Sequence, residues 1–343
     1  MKKALKVAFL YIGTIIGAGF SSGREIALYF KDLAPYNAAI SAVFIGLFSL
    51  LFLTAGRLSL IPKGNLTRLL VFFSASVSLI AMLAGGEYIM RSMTTIPLLC
   101  LVMALLGAVV VSGGIEKIKI ANAIIVPLIV VAIAVIFFRI PHSTGGTQFS
   151  ILRPLIYSGL DVLLGGIIVG EEGENMSFKE TLICSLLITA FLAFMLYMLQ
   201  TIVLHDTNDS LMPVFAISSE LKLQAICGVL IGGAIFTTLV SSLKITSDYL
   251  AFICAESRRL RPLSSIDNKP IIVMFCLLIF YPLSFFGFGK IVSVLYPVNS
   301  ILGIIIAAVV LIRIIIFYIM KAKRKRLPKL ESRNSIHIVS DGN

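Results

Sequence analysis

Long apolar runs cut by short polar connections make up most of this chain. A bilayer core takes about 20 apolar residues per helix. On that measure the pattern predicts ten helical segments, at 5–30, 36–56, 66–90, 95–113, 118–138, 154–170, 181–204, 221–252, 270–288 and 293–320. The runs are continuous, unlike the ten-residue alternating segments of a membrane β-barrel. Two of the ten carry interruptions. In the first, YIGTIIGAGFSSGREI (11–26) sets Gly13, Gly17, Gly19 and Gly23 beside Thr14, Ser21 and Ser22, and ends on Arg24 and Glu25. Glycine costs about 1 kcal/mol against alanine inside a helix, so this density predicts that the helix opens and exposes backbone polar groups. Open backbone at membrane depth persists only where it is buried in protein or lines a cavity. The sixth segment, RPLIYSGLDVLLGGIIVGEEGEN, echoes it: Ser158 and Gly159 precede Asp161, followed by Gly165, Gly166 and Gly170.

Composition sharpens the class. Of 343 residues, 58% are hydrophobic and 13% charged, and the mean hydropathy is +1.02. These values place the chain among polytopic α-helical membrane proteins. One membrane domain, 1–320, accounts for the apolar runs, and 321–343 is expected to be a disordered basic tail lying against anionic headgroups. The basic start (Lys2, Lys3, Lys6) followed by an apolar run, without a small-residue cleavage site, reads as an uncleaved first helix. The five cysteines, Cys100, Cys184, Cys227, Cys254 and Cys276, lie in apolar segments without CxxC spacing and read as small buried hydrophobes.

A net charge of +12 raises nucleic acid as a partner, but its distribution excludes it. Basic residues concentrate in alternate connections: Lys2, Lys3 and Lys6; Arg57, Lys63 and Arg68; Arg258, Arg259, Arg261 and Lys269; and the cluster from Lys321 to Lys329. The other side holds far fewer, among them Arg24, Lys31, Arg91 and Arg153. The positive-inside rule then sets both termini in the cytoplasm, with the lipid bilayer as the chain's surroundings. Ten helices split into halves, 1–150 and 151–320, that run in opposite directions. Gly-interrupted segments at matching positions of two such halves point to an inverted repeat with a binding site between them.

The motif GTIIGAGFSSGREI resembles the first-helix motif of the YkvI-like bacterial membrane proteins, within the amino acid–polyamine–organocation superfamily. The resemblance implies an all-α, LeuT-type fold of five plus five helices in an inverted repeat, with helices one and six broken, in a bacterial cell membrane. It also implies a secondary transporter of amino acids or related solutes.

Candidate chemistry gathers at three places. Gly17, Ala18, Gly19, Phe20, Ser21 and Ser22 either pack helices closely through small-xxx-small pairs or offer freed amides that bind a carboxylate at the start of the outer half-helix. Phe20 would then wall the cavity. On segment six, Tyr157, Ser158 and Gly159 are candidate solute contacts. Asp161 is expensive inside an apolar segment, by about 2.5–3.5 kcal/mol, and so is a functional candidate. It either carries a coupling proton or bonds a helix break. Glu25 is either a solvated outer charge paired with Arg24 or Lys31, or a titrating group of the outer pathway. On segment eight, Thr238, Ser241 and Ser242 share a helix face. They either complete a sodium site opposite segment one, as the LeuT-type resemblance implies, or bond back to their own helix. Lys244 either occupies the cation position or pairs with Asp248 at i+4. The polar stretch HDTNDSLMPVFAISSE is a solvated loop or a short helix over an entrance.

There is no nucleophile–His–Asp set and no phosphate-cradling glycine loop. Neither an enzyme nor an ATP-driven pump is expected, and no cofactor beyond a coupling H+ or Na+. The sequence reading is a secondary transporter of a small-molecule substrate, zwitterionic or carboxylated. The alternative is a sensor of the same fold that binds without net transport. Substrate identity, coupling ion and oligomeric state stay open.

Overall fold

The computed structural model describes residues 2–94, 99–113, 116–141, 146–256 and 269–340. Arg258, Arg259 and Arg261, named above, lie outside them, as does the side chain of Ala18. Each of the ten predicted segments is helical within its described residues. The first is divided into α1 (Lys2–Ile15), α2 (Ala18–Ser22) and α3 (Arg24–Phe30). Then follow α4 (Asn37–Arg57), α5 (Asn65–Met93), α6 (Leu99–Gly113) and α7 (Glu116–Arg139). The sixth segment comprises α8 (Leu152–Leu160), a π-helical turn (Val162–Gly166) and α9 (Ile167–Gly173). The chain continues through α10 (Phe178–His205), α11 (Pro213–Glu220), α12 (Gln224–Glu256), α13 (Lys269–Ser284) and α14 (Phe288–Ser340). The last helix carries its backbone on through the basic residues after 320, a stretch in which the sequence reading expected no ordered element. Among the described residues there is no strand, only an isolated β-bridge between Leu33 and Gln148.

Among the described residues, five helices are long and apolar enough to cross a membrane: α4, α5, α10, α12 and the Phe288–Ala322 part of α14. Leu99–Gly113, Ile124–Arg139 and Lys269–Ser284 are shorter apolar helices. Large aliphatic and aromatic side chains are exposed around the bundle, including Leu47, Phe194, Leu278, Val294 and Ile312. In water such a surface would aggregate; in lipid it is the expected outer face.

Two helix pairs form the centre, α4 against α10 and α5 against α12. The interrupted segments lie between these pairs. α1 packs on α10, α9 on α4, and α8 on α14, while the π-helical turn touches α1, α4, α5 and α14. Small residues allow the closest of these approaches. Gly159 and Gly303 bring α8 and α14 into backbone contact, because a methyl on Gly303 would run into the Gly159 carbonyl.

The turn between α3 and α4 is tied down by a buried side chain. The Gln200 amide donates to the carbonyls of Phe30, Leu33 and Ala34 at 3.2, 3.2 and 2.8 Å. Its Oε1 accepts from the Ala38 N–H at 2.7 Å. A helix leaves carbonyls at its end and N–H groups at its start without intrahelical partners, and Gln200 supplies both kinds across the bundle. Four of the five cysteines are buried and Cys254 is half-buried, all as free thiols. The i,i+4 pair Glu87–Arg91 forms at the surface of α5, and Arg313 donates to the Leu60 carbonyl at 3.4 Å.

Candidate functional site

The first interruption is built from two glycine-dependent bends. Ile16 and Gly17 leave the helix: Gly17 is extended (φ −95°, ψ −168°) and its N–H turns back to the Ile15 carbonyl at 2.7 Å. After one short turn of helix, Gly23 adopts φ 77°, the left-handed region that favours glycine. There is also little room for a side chain, since a methyl would lie 3.1 Å from Val214 and 3.3 Å from Val203. Together the bends offset α3 from α1 and bring the carboxylate of Glu25 back over α2. A methyl on Gly19 would overlap that carboxylate.

The sixth segment differs from the expected break. Only Asp161 stands between α8 and the π-helical turn, and the Gly165 N–H donates to the Asp161 carbonyl at 3.0 Å. Backbone hydrogen bonding is rearranged here rather than lost, as in the π-bulges that recur at functional sites. Gly165 and Gly166 make room for the rings of Tyr11 and Phe52.

Both interruptions border one cavity of about 840 Å³. It reaches from Lys6 and Glu172, both exposed, to the buried Glu25 and Tyr296. Gly17 and Gly19 line it, as do Glu25, Asp161, Thr238, Ser241 and Ser242. Glu25 is therefore not the solvated outer charge of the first alternative: it is 8% exposed and faces the cavity. The Tyr157 hydroxyl donates to its Oε2 at 3.5 Å. Tyr157 is itself fully buried and stacks edge-on with Tyr29 and Phe30, closing the space behind Glu25. Asp161 Oδ2 is buried without a hydrogen-bond partner.

Several predicted residues are placed elsewhere. Phe20, Ser21 and Ser22 are buried and do not line the cavity. The Ser22 hydroxyl donates to the Gly19 carbonyl at 3.1 Å and accepts from the Arg24 N–H at 3.3 Å. Ser158 turns back to the Leu155 carbonyl at 2.7 Å, and Gly159 packs on the α14 backbone at Ser300. These two serve helix contact. Lys244 is taken away from the site, because its flexible stem reaches Asp248 one turn along α12. Lys269 approaches the same carboxylate at 3.8 Å.

The α12 hydroxyls divide. Ser241 bonds back to the Thr237 carbonyl at 2.9 Å, and Ser242 bonds across to Ser78 of α5 at 3.0 Å. Thr238 faces segment one, where a methyl on Gly17 would stand 3.3 Å from its Oγ1. Three polar residues of the site were not singled out from the sequence. Ser74, Ser78 and Asn299 line the cavity, and Ser74 Oγ and Asn299 Oδ1 have no hydrogen-bond partner. The readable signal was an amide within the otherwise apolar run of α14.

The far end of the cavity, beyond Glu25, is closed. Arg153 of α8 pairs with Asp32, and Lys31 with Asp209 in the connection before α11. Arg153 holds the Asp32 carboxyl below its usual range, and Lys31 does the same for Asp209. The stretch read as a loop or an entrance helix contains α11, which is buried through Val214, Phe215 and Ile217 and packs on α2, α10 and α12.

Comparison with known proteins places the chain beside two Bacillus subtilis (strain 168) proteins. It is 23% identical over 342 residues to "Uncharacterized protein YyaD", covering 88% of this chain and 94% of that one. It is 22% identical over 331 residues to "Uncharacterized membrane protein YkvI", covering 86% and 91%. No family model matches the chain. The weak similarity runs over most of the chain, and with the apolar helices it identifies a membrane-embedded protein.

Proposed function

We propose that this membrane protein is a secondary transporter of a small organic solute, an amino acid or a related compound, moved by alternating access and coupled to H+ or Na+. The observation that carries the reading is the cavity, bordered by interruptions in two helices and open toward one end of the bundle. Binding sites at discontinuous helices near the membrane midplane are the recurring arrangement of such transporters.

A five-plus-five inverted repeat is supported by how the helices pair. Under that reading α4 corresponds to α10, α5 to α12, α6 to α13, and α7 to α14. Contacts between the halves then occur in matching sets. α1 packs on α10 as α8 packs on α4, α5 on α14 as α12 on α7, and α6 on α12 as α13 on α5. One match is unequal. α14 lies tightly on α8, whereas α7 barely touches α1, and the cavity is lined there by Val126, Pro127 and Val130. Exchanging that inequality between halves would close the Lys6 end and open the Asp32 end. With the N-terminus in the cytoplasm, the structure corresponds to the inward-facing state.

Uptake by the full chain in proteoliposomes, screened over amino acids and amines under a proton or a sodium gradient, tests the reading. Gradient-dependent accumulation is expected. Specific binding without flux under either gradient would replace it with the sensor reading.

A further inference from the structure

The buried end of the cavity carries hydrogen-bond acceptors that the Tyr157 hydroxyl alone does not satisfy. Glu25 and Asp161 face it from the two interrupted segments. Asn299, 5% exposed on α14, also lines it, and its Oδ1 has no partner. Asp161 Oδ2 has none, and Glu25 receives a hydroxyl at the long limit of 3.5 Å. The lining cation among the described residues is Lys6, exposed at the mouth. It stands eleven residues before Gly17, about 16 Å along a helix. Arg24 is next to Glu25 in sequence, but its guanidinium lies by Gly289 at the start of α14. Carboxylates held away from water and without counter-charge are costly, by several kcal/mol per ion. A carboxylated ligand here would add another acceptor of like charge.

We infer that the solute is held by a protonated amine between Glu25 and Asp161, and that its recognised part carries no free carboxylate. This rests on the transporter reading for passage, and on the cavity alone for binding. The space in front of Gly19, where freed amides were expected to receive a carboxylate, is taken by the protein's own Glu25. An ammonium brings a positive charge and up to three donors, which suits two carboxylates and an amide oxygen. Charge-assisted hydrogen bonds of this kind are about twice as strong as neutral ones. Val77, Met82, Val130 and Phe191 line other parts of the same cavity, so the ligand has an apolar body. An alkali cation is satisfied by the same oxygen-only set, but leaves most of an 840 Å³ space unfilled.

The test uses the purified full-length protein in detergent, with butylammonium, 1,4-diaminobutane, butyrate and butan-1-ol as probes. Sodium chloride is compared with choline chloride at matched ionic strength. Both amines are expected to raise the unfolding midpoint saturably, while butyrate and butan-1-ol leave it unchanged. Glu25→Gln and Asp161→Asn should each weaken amine binding by at least about tenfold. If either variant fails to fold, the wild-type probe series decides alone. Preference for butyrate, or no shift with any probe, overturns the inference. A shift with sodium and none with amines also overturns it, and assigns the carboxylates to an alkali ion. Proteoliposome flux separates this from the transporter reading. Amine bound but not carried under either gradient removes the transporter and leaves the amine site. A carried solute whose affinity is unchanged in both variants removes the amine site and leaves the transporter.

Discussion

Gly19 shows how one missing side chain can serve binding more than folding. Alanine there gains up to about 1 kcal/mol of helix propensity, yet its methyl would overlap the Glu25 carboxylate. Glu25 is the flexible partner and gives way. Gly19→Ala is therefore expected to leave the unfolding midpoint close to wild type while weakening solute binding about tenfold, or ~1.4 kcal/mol. Thermal unfolding beside a binding titration checks the split; parallel losses in both would refute it. Asp161 tests coupling. Its Oδ2 is buried and unpartnered, so Asp161→Asn is expected to abolish accumulation under a proton gradient while solute exchange persists at concentrations raised to offset the weaker binding. A pH profile of uptake identical to wild type would exclude the proton role.

At the level of helices, stability and motion rest on different contacts. Gln200 joins α10 to the turn between α3 and α4 through four hydrogen bonds. The carbonyls of Phe30 and Ala34 keep backbone donors from Leu33 and Asn37, so the loss in Gln200→Leu falls on the Leu33 carbonyl and the Ala38 N–H. Each buried group left without a partner costs about 1–3 kcal/mol, and detergent-solubilised Gln200→Leu should unfold at a clearly lower temperature. The α8–α14 contact is different. Gly303→Val would wedge the helices apart at the Gly159 carbonyl, costing about 1–3 kcal/mol as overpacking does. The same wedge should favour the state in which α14 has left α8. Raised accessibility of a cysteine placed at Ser300 to a membrane-impermeant reagent added outside would report that shift; unchanged labelling would count against the proposed exchange between halves.

For the whole molecule, the closed end depends on pairs too weak to hold the fold. Asp32 and Arg153 are about half exposed, and exposed pairs contribute about 0–1 kcal/mol. On the transporter reading, their influence is on which end of the cavity opens. The sign of the pH effect follows from Asp32. Its carboxyl is held below the usual value by Arg153, so the pair contributes fully above the unfolded value of about 3.9. The contribution is lost as pH falls through the lower folded value. Between about pH 5 and 8 the pair does not titrate. Asp32→Asn should thus change the uptake rate without changing its pH profile in that range, and a profile that moves with this substitution would contradict the assignment.

The ten helical segments were legible because bilayer-length apolar runs are a one-dimensional signal, and the opening at Gly17 because glycine density is one too. The alternation of basic connections carries an expected orientation by the same kind of local counting. The sequence also marked Asp161, since a carboxylate in an apolar segment is conspicuous wherever it points. What depended on three-dimensional packing was direction and partnership. Glu25 follows the break in sequence, yet the left-handed Gly23 returns its carboxylate over Gly19 and into the cavity. Lys244 shares a helix with the site hydroxyls, yet its stem finds Asp248 first. Ser158 and Gly159 look like site residues in the chain, but they face their own helix and α14. Asn299 enters from the far end of the sequence because α14 closes on α8. Periodicity and composition are properties of neighbours along the chain. Which acceptors share a cavity without a donor is a property of helices that meet only after folding.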